Sequence, residues 1–183
     1  NVVKCSLYSS MLEMAGFQPN PFFIELWKSA LFTAFVAKDM GERIGHPRVD
    51  LCFTGGLLCD VGQLLLNEFA SQVYTNLVKE VRKGGYELIQ AETQVFGFTH
   101  VQVGYKMADN WKLPVVYQNV IRYHHEPMNA HSKVLPDDYK LITAIHIANT
   151  LSPLFTDQTG KEFREEAIKK AGMTIGSDMI VQN

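Results

Sequence analysis

A chain of 183 residues, 46% hydrophobic and 20% charged, carries enough apolar material for one core and one domain with a short tail. A net charge of -2 and a pI near 6.3 leave no basic stripe for a phosphate backbone, which excludes nucleic acid as the main partner. Cys5, Cys52 and Cys59 are odd in number and lack CxxC spacing, so they read as free thiols of a reducing cytoplasm; no apolar run reaches the roughly 18 residues of a membrane span. The opening Asn1-Val2-Val3-Lys4 has no Met and is already in apolar periodicity, so a fragment of something longer is expected.

Val3, Leu7, Met11 and Met14 sit at helical spacing, and Gly16 stops that first helix. Asn20-Pro21 reads as N-cap and N1 of a long helix. Two neighbouring stripes, one through Phe23, Leu26, Ala30, Thr33 and Ala37 and one through Ile24, Trp27, Leu31 and Phe35, predict that it is central and buried up to Gly45. Pro47 predicts the start of a helix that carries Gly55, Gly56, Asp60 and Gly62. Glycines inside a helix are costly, so Gly55 and Gly56 predict close approach of the long helix before them.

Helix is expected from Leu64 to Leu88 with a break at Gly84-Gly85, then from Glu87 to Phe96 with a stop at Gly97. Thr99 and Gln102 have the form of a capping box, which starts a helix at His100 that runs to Trp111. Gly104 lies on its inward side, where a neighbour could come close. Pro114 begins a helix whose rows Val116, Val120, His124 and Tyr117, Ile121, His125 each end in a histidine. Pro127 ends it, a polar loop follows to Pro136, and Asp137 to Leu151 forms the next helix. Phe163 to Ala171 reads as a short charged helix, with Glu165, Glu166, Lys169 and Lys170 solvated. With no period-2 alternation, the fold class is all-α, a multi-helix bundle.

Chemistry centres on Gly56-Leu57-Leu58-Cys59-Asp60-Val61-Gly62. An aspartate in an apolar run needs a cation or several hydrogen-bond donors. His100, His124 and His125, all on apolar helical faces, are the candidates to face it. Carboxylate plus imidazoles in a helical core is the composition of a metal site or of its remnant. Each residue also has a quieter reading: Asp60 as a hydrogen-bonded carboxylate, His124 and His125 as packed neutral rings with one nitrogen on a backbone carbonyl. The helix N-terminus should lower the proton affinity of His100. His46 and His131, beside loops and prolines, are expected in solvent; His146 is given no role, and Trp27 and Trp111 are assigned to the core.

Taken together, Glu25-Leu26-Trp27-Lys28-Ser29, the Gly56–Gly62 stretch, Glu92, Phe96-Gly97, Thr99-His100-Val101-Gln102-Val103-Gly104, Trp111-Lys112-Leu113-Pro114, His124-His125-Glu126-Pro127 and Ala148-Asn149 resemble the HDOD family. That family is a branch of the HD superfamily of helical, metal-dependent phosphohydrolases. The resemblance covers residues 4 to 155, implies an HD-type bundle over 1–155 lacking some N-terminal helices, and leaves 156–183 as a C-terminal helical extension. It implies a bacterial, cytoplasmic signalling module with signalling proteins or domains, and a nucleotide, as candidate partners.

In catalytic members of the superfamily, histidines and aspartates hold divalent ions that activate water against a phosphoester. By this resemblance Asp60, His100, His124 and His125 are the metal positions if an ion is retained, with Mn, Fe, Ni or Mg as candidates. Lys28, Cys59 and Asn149 stand where ligands would be, and no Gly-Tyr-Pro follows the paired histidines. The expectation is therefore a module without catalysis and without a cofactor, in which Lys28 reaches Asp60 and replaces the ion by a salt bridge. The rival expectation is a divergent metal-dependent phosphohydrolase acting on a nucleotide or cyclic dinucleotide.

Overall fold

A computed structural model describes residues 21–84 and 87–153; the expected helices at 3–15 and 163–171, the 156–183 extension and Cys5 lie outside them. The described residues form seven α-helices and one 3-10 turn, and no strand: α1 (Pro21–Arg43), α2 (Val49–Leu58), α3 (Val61–Arg82), α4 (Leu88–Phe96), α5 (His100–Asn110), α6 (Val115–Tyr123), the turn Pro127–Asn129, and α7 (Pro136–Leu151). The all-helical expectation holds. The helix expected through the Gly55–Gly62 stretch is instead two, because the chain turns at Cys59 and Asp60 and restarts at Val61. The expected start of α2 moves from Pro47 to Val49, and α3 is bent at Ala70, where φ is -139° and ψ 50°.

Helices α1, α2 and α7 form one layer, with α3, α5 and α6 packed across it and α4 against α3. One core cluster joins Ala37 of α1 and Cys52 of α2 to Val120 of α6 and Leu141, Ile142 and Ile145 of α7. A second joins Phe23 and Leu26 of α1 to Val61 and Leu64 of α3, Met107 of α5 and Ile121 of α6. Burying such side chains contributes about 1.5–3 kcal/mol each, an upper range for the apolar contribution. His46, expected in solvent, is only 4% exposed: its Nε2 meets the Asp137 carbonyl at 3.0 Å while Arg48 pairs with Asp138 at 2.9 Å, so α7 covers it. Conversely Trp111, expected in the core, is 57% exposed at the end of α5, and Ile24 and Phe35 on the second stripe of α1 are half exposed. That helix is buried on one side and not around its girth.

Two close approaches set the distance between layers. A Cβ on Gly56 would lie 2.7 Å from the Ala34 Cα, so α1 and α2 touch backbone to backbone as expected, while Gly55 faces the Ile145 and Val120 side chains instead. On the other side, a Cβ on Gly62 would lie 1.9 Å from the His100 carbonyl oxygen, and Gly104 packs on Gly62 in turn. This contact of α3 with α5 carries His100 up to Asp60. The stretch Val49–Arg82, taken as one helix, is long and apolar enough to cross a membrane by length and composition, but the chain turns within it at Cys59 and Asp60 and its apolar window is mostly buried in the protein.

Candidate metal centre

Asp60 is the last residue before α3, in the position of an N-cap, yet its side chain caps nothing. Gln63, three residues on, turns its Nε2 to donate to Asp60 Oδ1 at 2.6 Å, and Asn149 of α7 donates to Oδ2 at 2.8 Å. The carboxylate is buried and fixed in rotation by these two amides. Its Oδ1 then faces His100 Nε2 at 3.3 Å and His124 Nε2 at 3.5 Å.

Each of those rings has its other nitrogen committed elsewhere. Nδ1 of His124 lies 2.9 Å from the Ile121 carbonyl, which can only accept, so Nδ1 carries the proton and Nε2 presents a lone pair. His146 places its Nδ1 2.6 Å from the carbonyl of His124 and steadies the same turn. Nδ1 of His100 lies 2.8 Å from Glu92 Oε2, which fixes that ring likewise. The Nε2 of His125 completes the group, 3.0 Å from His100 Nε2. One ligand atom from each of Asp60, His100, His124 and His125 thus falls within 4.8 Å of all the others.

Converging lone pairs repel unless a proton or a cation lies among them. Burial raises the carboxyl of Asp60 toward its neutral form, but the His100 ring beside it, which carries the proton, outweighs this and holds it well below the usual carboxylate range. Burial likewise works against charge on His100, yet Asp60 and Glu92 lift it to about 9. This corrects the expectation from the helix N-terminus: two carboxylates beside the ring outweigh one helix end. Burial and the rings of His124 and His100 push His125 well below its usual value. Without an ion, a single proton on His100 accordingly bridges to Asp60 and His125. Among the described residues nothing supplies His124, whose buried Nε2 has no hydrogen-bond partner there.

The donor set fits a divalent cation: three imidazole nitrogens and one carboxylate oxygen, with the outer nitrogens of two rings held by acceptors. The four metal positions expected from sequence come together, drawn from the α2–α3 turn, the start of α5 and the end of α6. Of the other three positions, Asn149 and Cys59 meet Asp60 Oδ2 as hydrogen-bond donors, at 2.8 and 3.7 Å, and Lys28 does not reach the cluster. Lys28, expected to neutralise Asp60, is on the outer face of α1 with 57% of its side chain exposed and pairs with Glu25 at 2.7 Å; the helix turns it away from the pocket. Cys59 is a buried thiol that donates weakly to the Gly56 carbonyl at 3.4 Å, and burial with Asp60 beside it holds the thiol protonated. Asn149 orients Asp60 as a donor and is no ligand.

Gln63, Tyr74 and His146 were not marked by the sequence, and Glu92 only as part of the family pattern. Gln63 carries a usable signal, an amide three residues after the aspartate in the N-cap position; Tyr74 carries none.

An all-helical domain with an aspartate and histidine cluster between its layers is the class that this fold and site define. The sequence pattern of the HDOD domain matches residues 2–127, and the chain belongs to the HDOD family. It is similar to an HDOD domain protein of unknown function from Geobacter sulfurreducens, with 28% identity and a TM-score of 0.63 over 74% of this chain and 44% of that one. The fold is shared with a candidate signal transduction protein from Marinobacter aquaeolei VT8 (15% identity, TM-score 0.58, 86% of this chain and 39% of that one) and a candidate phosphohydrolase from Shewanella amazonensis SB2B (19%, 0.54, 82% and 62%). An uncharacterized protein of Treponema pallidum (strain Nichols) is 24% identical over 127 residues, 68% of this chain and 24% of that protein. The chain thus spans less than two thirds of each of these relatives.

Proposed function

We propose that this HDOD domain is a cytoplasmic signal-transduction module whose pocket holds one divalent cation as a state-setting ligand, not as a hydrolytic centre. Its partners are signalling proteins or domains, with a nucleotide as a further candidate, and neither nucleic acid nor membrane. The observation that carries the ion is the Nε2 of His124, buried, without a hydrogen-bond partner and aimed at Asp60. A chain that leaves such an acceptor bare loses about 1–3 kcal/mol unless something binds it. Asp60, His100, His124 and His125 would hold the ion, and a nitrogen-rich set suits Fe or Ni better than Mn or Mg. When bound, such an ion supplies Lewis acidity and a water of lowered pKa.

Against hydrolysis stands the rest of the donor set. Two-metal phosphoesterases clamp both attacking and leaving oxygens between paired ions. Here both oxygens of Asp60 are already bonded, by Gln63 and Asn149, and the Lys28, Cys59 and Asn149 positions add no anion. The second reading, a divergent metal-dependent phosphohydrolase, is favoured by His125, the one member of the cluster that is only partly buried. Metal analysis of the purified protein, together with turnover of a generic phosphodiester in Mn²⁺, separates the two. One ion per chain and no turnover is the expected result. Turnover lost on chelation establishes the hydrolase instead, and protein that takes up no ion removes the site.

A further inference from the structure

We infer that Glu92, with Tyr74 behind it, is the positioning group that makes His100 able to face a metal; the inference rests on the ion site proposed above. Glu92 is the one acid on the buried side of the short helix α4, and it is fully buried. A carboxylate in such a place persists only where donors converge on it. Three do. The His100 backbone N–H donates to Oε2 at 2.9 Å, the ring Nδ1 lies 2.8 Å from the same oxygen, and the Tyr74 hydroxyl donates to Oε1 at 2.6 Å.

Two of the three belong to one residue, so Glu92 fixes both where His100 begins α5 and which ring nitrogen carries the proton. The backbone N–H it takes is one that the first turn of a helix leaves without an intrahelical partner. With Nδ1–H held, Nε2 is the nitrogen that faces the pocket, 3.3 Å from Asp60 Oδ1 and 3.0 Å from His125 Nε2, and it presents a lone pair to an ion once the bridging proton leaves. Tyr74 fixes Glu92 in turn. Its ring is fully buried and packed edge-on to Phe22 at 5.5 Å and against Phe96 at 6.1 Å, and burial with Glu92 beside it keeps the phenol protonated. The result is a chain of three side chains from α3, α4 and α5 that ends at the ion site. Among the four candidate ligands, His100 is the one whose outer nitrogen rests on a side chain and can be retuned by substitution.

The test uses the whole chain stripped of metal. Glu92→Gln keeps the shape but leaves one oxygen and an amide donor facing three donors, so His100 no longer keeps its proton on Nδ1. Expected is a Kd for Zn²⁺ weakened by roughly tenfold to a hundredfold, and, by nitrogen-15 NMR of the metal-free protein at a pH above about 9 where the His100 ring is neutral, loss of the Nδ1–H state seen in the wild type. Tyr74→Phe should weaken Zn²⁺ severalfold while Nδ1–H remains, and it decides the matter if Glu92→Gln does not fold. A merely structural Glu92 would lower the melting temperature and leave the tautomer alone. Unchanged affinity and tautomer in the variants overturn the inference by itself, whereas wild-type protein that binds no Zn²⁺ overturns the ion site and this inference with it.

Discussion

The two oxygens of Asp60 face different surroundings. On the Oδ1 side, ring nitrogens of His100 and His124 approach at 3.3 and 3.5 Å, and Gln63 donates. On the Oδ2 side, the Asn149 amide and the Cys59 thiol present hydrogens. The first side attracts a cation; the second anchors the carboxylate as a structural acceptor. One residue thereby combines a candidate ligand oxygen with a core hydrogen-bond acceptor.

The sharpest way to break the first side is to move α5. Gly62→Ala puts a methyl on the His100 carbonyl, and a loss of about 3 kcal/mol or more in urea unfolding is expected, together with loss of ion binding. Near-native stability would mean that the helices can part without cost. A pH series on metal-free protein tests the same side. Between an unfolded value of 6.5 and about 9, native His100 keeps a proton that the unfolded chain has released, so stability falls as pH rises through that window. The gap corresponds to about 3 kcal/mol. Below 6.5 the unfolded chain protonates His125 while the native chain does not, so stability falls again as pH drops. A maximum near pH 6.5 is expected in denaturant titrations, moving upward when a divalent ion displaces the proton; a flat profile from 6.5 to 9 would show that no proton bridges the cluster.

Asn149→Asp sharpens the contrast by making the second side like the first. It places a second carboxylate against Oδ2, and without metal this should destabilise by about 2 kcal/mol, with Mn²⁺ restoring more stability than it adds to the wild type. Equal effects of Mn²⁺ on both proteins would argue against a cation near Oδ2. The smallest effect belongs to Lys28→Ala, within about 0.5 kcal/mol and without change in ion affinity, since the Glu25 pair is exposed. A large effect in thermal melts would bring Lys28 back to the pocket.

Much of this was legible in the residues. The Thr99–Gln102 capping box starts α5 as expected, with Thr99 Oγ1 accepting from the Gln102 N–H and Gln102 Oε1 from the Thr99 N–H. The rows of α6 ended in histidines for a reason of chemistry, and Gly104 marked a close approach that proved to be Gly62. What misled was direction. The rows on α1 run along both sides of the helix, and nothing in their spacing says that Lys28 points outward or that Phe35 stays half exposed. Nor could apolar periodicity show the turn at Cys59 and Asp60, because the residues before and after it are equally apolar.

The sequence by itself determined the helical class, the family and the four residues that converge, because periodicity, caps and motif spacing are local properties of the chain. Only the tertiary structure decided which nitrogen of each ring faces inward, which oxygen of Asp60 faces the rings, and that Glu92 stands behind His100. Those are consequences of which groups meet across helices, and hydrogen bonds between residues distant in the chain leave no period in the sequence.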